Sequence, residues 1–190
     1  MSEASDSEAR LSDHPRFGTP PRRVTGKTIG FRNATVDDAE YILSLRLDPG
    51  KNAYLSPPPA DLEAQRQYML QPRDGFYFII EAEGRPIGTV RLYDQRGTSF
   101  SWGSWILRDH PKSAAVESAL MVYRLGLACG FTASHFEVRR ANESVWRFHE
   151  RMGAVRVAEI ERDIFYTLSK DAMLAAFERY GDRSRADIEW

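Results

Sequence analysis

The stretch Val138-Arg-Arg-Ala-Asn142-Glu-Ser-Val-Trp-Arg-Phe-His149-Glu-Arg-Met-Gly153 runs from the end of an apolar strand, through a polar turn, into a short amphipathic helix. Asn142 suits the N-cap, where its side-chain oxygen can accept an orphan amide of the first turn, and Gly153 suits the stop. Val145, Phe148 and Met152 recur at helical spacing, and His149 falls on the same face four residues after Val145. A titratable ring is therefore expected to point inward, either as a satisfied core histidine or as part of a site at the strand–helix edge.

Working outward, three runs before this block read as an antiparallel meander: Phe76 to Ala82, Pro86 to Tyr93 and Ser99 to Leu107, separated by Glu83-Gly84-Arg85 and Gln95-Arg96-Gly97. Phe76 to Ile80 is apolar at every position, the pattern of a strand covered on both faces, so helices are expected on both sides. Gly103 interrupts the third run, which weakens a strand unless a bulge or a close approach requires it. Residues 112 to 130 give the longest helix, with Val116, Leu120, Tyr123 and Leu127 on one face and Gly130 at its end. The strand His135 to Arg139 follows. A helix between two strands of one sheet predicts a right-handed crossover, and so a parallel pair in an otherwise antiparallel sheet.

The periphery is simpler. Ile29 to Arg32 reads as a short strand, Thr35 caps a helix that ends near Asp48-Pro49-Gly50, and Asp61 to Leu70 is a second helix halted before Pro72. After the His149 helix, Arg156 to Ile160 and Ile164 to Leu168 read as a closing hairpin and Asp171 to Tyr180 as a last helix. Residues 1 to 27 carry few large apolar side chains and are expected to be a disordered tail, with 181 to 190 a second tail around a domain spanning 28 to 180.

The chain has 190 residues, 42% of them hydrophobic, enough for one domain with a sizeable core. A formal net charge of -1 disfavours nucleic acid as the main partner. The lone Cys129 sits in an apolar helical run and reads as a buried thiol of a cytoplasmic protein. No uncharged apolar run is long enough to span a bilayer, the N-terminus lacks the pattern of a signal peptide, and no metal-ligand spacing appears, so neither a membrane nor a metal is expected.

This order of elements resembles the GNAT acetyltransferase superfamily over roughly residues 28 to 170. The most specific local piece is Glu137-Val-Arg-Arg-Ala-Asn142 followed by Phe148-His149-Glu-Arg-Met-Gly153, similar to the family's last conserved block. It is most similar to members that acetylate amino sugars on nucleotide carriers, where the block often reads Asn-x-Ser-Val-Trp-x-Phe-His. The resemblance implies an α/β (α+β) fold. Its mixed, mostly antiparallel sheet of six to seven strands is covered by helices on both faces, with a V-shaped splay between the fourth and fifth strands, Ser99 to Leu107 and His135 to Arg139.

It also implies acetyl-CoA as acyl donor. Its pantetheine arm would lie along Trp105, Ile106 and Leu107 like an added strand, with Gly103 supplying the bulge that opens the slot. Its pyrophosphate would sit over Lys112, Ser113, Ala114 and Ala115 at the start of the long helix. Here the chain departs from the family. Where the family has Gln or Arg and two glycines, this sequence has Lys112, Ala115 and Glu117, and the Glu117 side chain must turn away from a phosphate. Asn142 would contact the pantetheine amides, although the cap alone accounts for it.

In the acyl transfer so implied, His149 stands where many relatives have a tyrosine general acid. As an imidazolium it could protonate the leaving thiolate at neutral pH. Glu137 matches the place where some relatives keep a proton acceptor; an ordinary polar strand residue is the alternative. The loop from Asn52 to Pro59 and the Phe100-Ser101-Trp102 stretch lie where relatives hold the acceptor. The expected acceptor is the primary amine of a small molecule, first a nucleotide-linked amino sugar. Protein N-termini or aminoacyl groups, or acyl-CoA binding without turnover, remain alternatives, and a homodimer stays open.

Overall fold

The computed structural model describes residues 17–190. The chain begins with the hairpin β1 (Arg23–Thr25) and β2 (Gly30–Asn33), and a 3-10 turn at Val36–Asp38 leads into α1 (Ala39–Leu47). The helix α2 (Leu62–Leu70) follows, capped by Asp61, whose carboxylate accepts the Ala64 amide at 2.8 Å. The meander is β3 (Phe76–Ala82), β4 (Arg85–Arg96) and β5 (Ser99–Leu107). Then come α3 (Ala114–Ala128), β6 (Ala133–Arg139), α4 (Glu143–Arg151), the hairpin β7 (Val155–Glu159) and β8 (Asp163–Ser169), α5 (Lys170–Tyr180) and β9 (Asp187–Glu189).

All nine strands form one sheet in the order β7-β8-β6-β5-β4-β3-β2-β1-β9. Every neighbouring pair is antiparallel except β5 and β6, the two strands joined through α3. The sheet exceeds the expected six to seven strands by β1 and β9, which pair with each other through Arg23↔Glu189, Val24↔Ile188 and Thr25↔Asp187. Residues 17–27 and 181–190 are thus part of the domain rather than tails. Phe17 also packs there, its ring 5.1 Å from that of Phe76 and 4.9 Å from that of Phe131. Three-residue strands carry too little alternation to be read locally; each is held by hydrogen bonds to the far end of the chain. The rest of the expected N-terminal tail, residues 1–16, lies outside the described residues.

The apolar run in β3 is covered on both faces, as its continuity requires. Phe76, Phe78 and Ile80 enter the larger core with Leu120, Met121 and Tyr123 of α3, while Tyr77 and Ile79 face the smaller core with Ile42 of α1 and Met69 of α2. Each fully buried side chain of this kind contributes roughly 1.5 to 3 kcal/mol. The two layers give the sheet chemically distinct sides. No described helix is long and apolar enough to cross a membrane.

The parallel pair is where the sheet opens. β5 and β6 are in register only at Ser99↔Ala133 and Phe100↔Ser134, after which the strands part. A bulge in β5 accompanies the parting: Thr89 pairs with Ile106 but Arg91 with Gly103, so Ser104 and Trp105 together oppose Val90. The Thr89 hydroxyl fixes it by donating to the Ser104 carbonyl at 2.8 Å. The bulge therefore lies just after Gly103 and not on it. A Cβ on Gly103 would come within 2.9 Å of the Tyr93 hydroxyl, so the glycine answers a close approach from that ring.

Candidate active site in the splay

The gap between β5 and β6 is a cavity of about 560 Å³. Among the predicted residues it brings together Trp105, Glu137, Asn142 and His149, with Ser101, Trp102 and Tyr54, Leu55 and Ser56 of the expected acceptor loop also in its wall. Phe100 is fully buried in the core instead. A second, open depression of about 550 Å³ continues past Tyr54 and Asn142 to Ser144 and Arg147.

Alternation along β6 assigns its side chains to two environments. All five residues from His135 to Arg139 reach the cavity, but Phe136 and Val138 are buried toward α4, whereas His135, Glu137 and Arg139 are the more exposed. His135 is held at both nitrogens, Nδ1 2.8 Å from Ser99 Oγ and Nε2 3.4 Å from Asp94 Oδ2. Arg139 is neutralised by Asp163 at 2.6 Å. Glu137 between them is exposed to the cavity, with no ion pair or side-chain hydrogen bond among the described residues. The polar run His135, Glu137, Arg139 at every second position was the sequence signal for this wall; Tyr93, Asp94 and Arg46, which complete it, carried none.

The facing wall is dry. His149 is only 5% exposed, its ring 4.4 Å from that of Phe136 and 5.2 Å from that of Trp102, with Trp105 and Phe148 closing the cage. Its Nδ1 is buried without a hydrogen-bond partner, as is Trp102 Nε1. Burial alone pushes the His149 pKa down to about 3. His149 points inward as its spacing predicts, but it is neutral at pH 7. A neutral ring disfavours the role of imidazolium donor that the resemblance implied for it.

Asn142 also differs from expectation. Its backbone carbonyl accepts the Val145 and Trp146 amides, but its side chain makes no cap bond and receives only Ser144 Oγ, at 3.4 Å. The carboxamide is thereby left at the junction of the two depressions. On β5, the side chains of Ile106 and Leu107 are buried, so only their backbone is available. Because the Arg108 amide turns inward to Ile87 O at 2.8 Å, the alternate amide of Leu107 points to the unpaired edge facing the splay.

Lys112, Ser113, Ala114 and Ala115 stand apart from the cavity wall, at the start of α3. Ala114 is fully buried, and the Ser113 hydroxyl lies 3.3 Å from Thr28 Oγ1. First-turn amides of α3 lack intrahelical acceptors, and Lys112 stands exposed beside them. Glu117 does turn away: fully buried, it accepts the Thr28 amide at 2.6 Å, the Ile29 amide at 3.2 Å and the Thr28 hydroxyl at 2.5 Å. The cap-like carboxylate thus clamps the segment before β2 and leaves the helix start without an opposing charge. Burial pushes the Cys129 thiol up to about 11, which removes it as a nucleophile. Among the described residues no three His, Cys, Asp or Glu converge as a metal site would require.

Comparison with known proteins places this geometry. The description "Acetyltransferase (GNAT) domain" matches residues 28–155. A solved structure of apo FdhC, described as a nucleotide-linked sugar GNAT, is 35% identical, covers 90% of this chain and 99% of its own, and superposes with a TM-score of 0.74. A GCN5-related N-acetyltransferase from Brucella melitensis shares the fold at 14% identity, with 88% and 87% of the two chains covered and a TM-score of 0.73. So does a chimera of the Vibrio cholerae spermidine N-acetyltransferase SpeG with hSSAT, at 14% identity, 78% and 99% coverage and a TM-score of 0.67. No curated protein sequence matches the chain. The splayed β5–β6 pair, the helix start beyond it and these similarities together make the chain a member of the GNAT superfamily and an N-acetyltransferase.

Proposed function

We propose that the protein transfers the acetyl group of acetyl-CoA to a primary amine on a nucleotide-linked sugar. The observation that carries the reading is the unpaired Glu137 carboxylate across the splay from the unpaired edge of β5. The 35% identity to a nucleotide-linked sugar GNAT supports the acceptor class. In this reading the pantetheine arm pairs with the β5 edge at Trp105 to Leu107 and meets the Asn142 carboxamide. The pyrophosphate takes the free amide at Ala115 at the start of α3, with Ala114, Ser113 and Lys112 beside it; the Ala114 amide is itself held by the Pro111 carbonyl at 3.0 Å.

Glu137 takes one proton from the acceptor ammonium and passes it to solvent. The neutral amine then attacks the thioester carbonyl, and strand amides facing the splay hydrogen-bond the oxyanion. As the C–S bond breaks, a second proton from nitrogen ends on the thiolate and the third stays as the amide N–H. His149, uncharged throughout, offers the departing sulfur a hydrogen bond inside a dry wall rather than a stored proton. Thiol release from acetyl-CoA, measured with nucleotide-linked amino sugars, polyamines and peptides, tests the proposal. Turnover is expected with the first group; saturable turnover only with peptides or polyamines would replace the acceptor class.

A further inference from the structure

The α1/α2 side of the sheet carries a cluster of arginines next to the cavity that the reaction just described does not use. Tyr77 and Arg91 pair across β3 and β4, and Tyr93, on the same face as Arg91, pairs with Ser101 in the cavity wall. The Arg91 guanidinium lies 5.4 Å from the Tyr77 ring centre and 5.1 Å from that of Tyr93, and donates to the Tyr68 hydroxyl at 2.7 Å. Arg73 lies 4.9 Å from the Tyr68 ring and 5.6 Å from the Tyr77 ring. Arg46, at the end of α1, is itself in the cavity wall and donates to the Ser56 carbonyl at 2.9 Å.

None of the three pairs with a carboxylate among the described residues, whereas Arg32, Arg139, Arg147 and Arg156 each do. The Nε atoms of Arg46 and Arg73 are moreover buried with no acceptor at all. Three cations share one patch of phenol rings in a chain whose formal net charge is -1. Burial above all, with a smaller contribution from the neighbouring Arg91, depresses the Arg73 pKa. Guanidiniums left with unused donors suit the paired oxygens of phosphate groups, and the half-exposed rings of Tyr54 and Tyr68 suit stacking on a base.

We propose that Arg46, Arg73 and Arg91 bind the diphosphate of the acceptor, so that the attached sugar amine reaches Glu137 past Tyr93. This rests on the nucleotide-sugar reading above. The phosphates of acetyl-CoA are a second source of the same chemistry, but the helix start assigned to them belongs to α3, which packs on the opposite face of the sheet.

Initial rates with a nucleotide-linked amino sugar, its 1-phosphate and the free amino sugar test the assignment in Arg46→Gln, Arg91→Gln, Arg91→Lys and the double glutamine variant, with thermal melts confirming folding. The glutamine variants should raise the KM for the nucleotide-linked acceptor roughly tenfold or more, with kcat and the KM for acetyl-CoA moving far less, and Arg91→Lys should recover part of the loss. An unchanged acceptor KM in the folded double variant overturns the assignment, and so does an equal rise in the KM for acetyl-CoA. If the wild type acetylates no nucleotide-linked amine, the acceptor reading fails by itself. Calorimetry with uridine diphosphate as probe then decides the cluster: saturable binding lost in the double variant supports it, and no binding at millimolar concentration overturns it.

Discussion

Acidification from pH 7 to pH 5 should expose the cost of keeping His149 uncharged. An unfolded chain binds a proton on this ring below its ordinary pKa of about 6.5, but the folded protein, with the ring caged by Trp102, Trp105, Phe136 and Phe148, does not do so until about pH 3. The unfolded state therefore holds more protons in this window. Stability from this group is complete above pH 6.5 and is lost as pH falls toward 3. Between pH 7 and pH 5 the loss integrates to about 2 kcal/mol. Urea unfolding of the wild type and of His149→Phe at pH 7, 6 and 5 isolates it, since carboxylates elsewhere titrate alike in both proteins. Phenylalanine leaves no hydrogen-bond partner orphaned, because Nδ1 has none. The wild type should lose about 2 kcal/mol more than the variant over this range. Parallel losses would mean that His149 is protonated in the folded state and would refute the dry-cage account.

Three further outcomes bear on the site and its frame. Glu137→Gln should lower kcat roughly 100-fold while both KM values stay within a few-fold; a drop below about threefold in steady-state assays would remove Glu137 from proton transfer. Lys112→Glu should raise the KM for acetyl-CoA more than it lowers kcat, because a phosphate contact persists from ground state to transition state; an unchanged KM would shift the search for the cation away from the start of α3. Glu117→Gln turns an amide N–H₂ toward donors that the carboxylate now accepts, and should cost on the order of 1 to 3 kcal/mol in denaturant unfolding with little change in kcat. An unaltered midpoint would show that the bonds from Thr28 and Ile29 add nothing.

What was legible in the sequence was what one element can state about itself. Five successive apolar residues in β3 announced a strand covered on both sides, and Val145, Phe148 and His149 announced the inward face of α4. The crossover through α3 followed from a helix between two strands, and the splay came with the family resemblance. Properties created where elements meet were not legible. β1 and β9 exist because residues at opposite ends of the chain pair. Asn142 has the chemistry of a cap, yet its carbonyl serves the helix and its side chain does not. The arginine cluster required α1, α2 and β4 to converge on Tyr77, which no spacing encodes.

The fate of His149 shows how the sheet divides the chemistry between its faces. Spacing said that the ring points inward, and from its type alone a pKa near neutrality followed; only the surrounding rings decide that it carries no charge. Glu137, one strand away, alternates onto the polar wall beside His135 and Arg139 and remains unpaired. The two residues thus sit at opposite electrostatic extremes of one cavity: His149 of α4 lies in the ring cage that includes Phe136, while Glu137 falls on the exposed alternation of β6. For the proposed reaction this separation is useful. In that proposal the acceptor sheds its proton against the exposed carboxylate, while the carbonyl, where charge develops, lies against the apolar ring wall. A charged imidazolium in that wall would need the water that the cage removes, so the neutrality of His149 and the dryness of the donor side are one property of the packing.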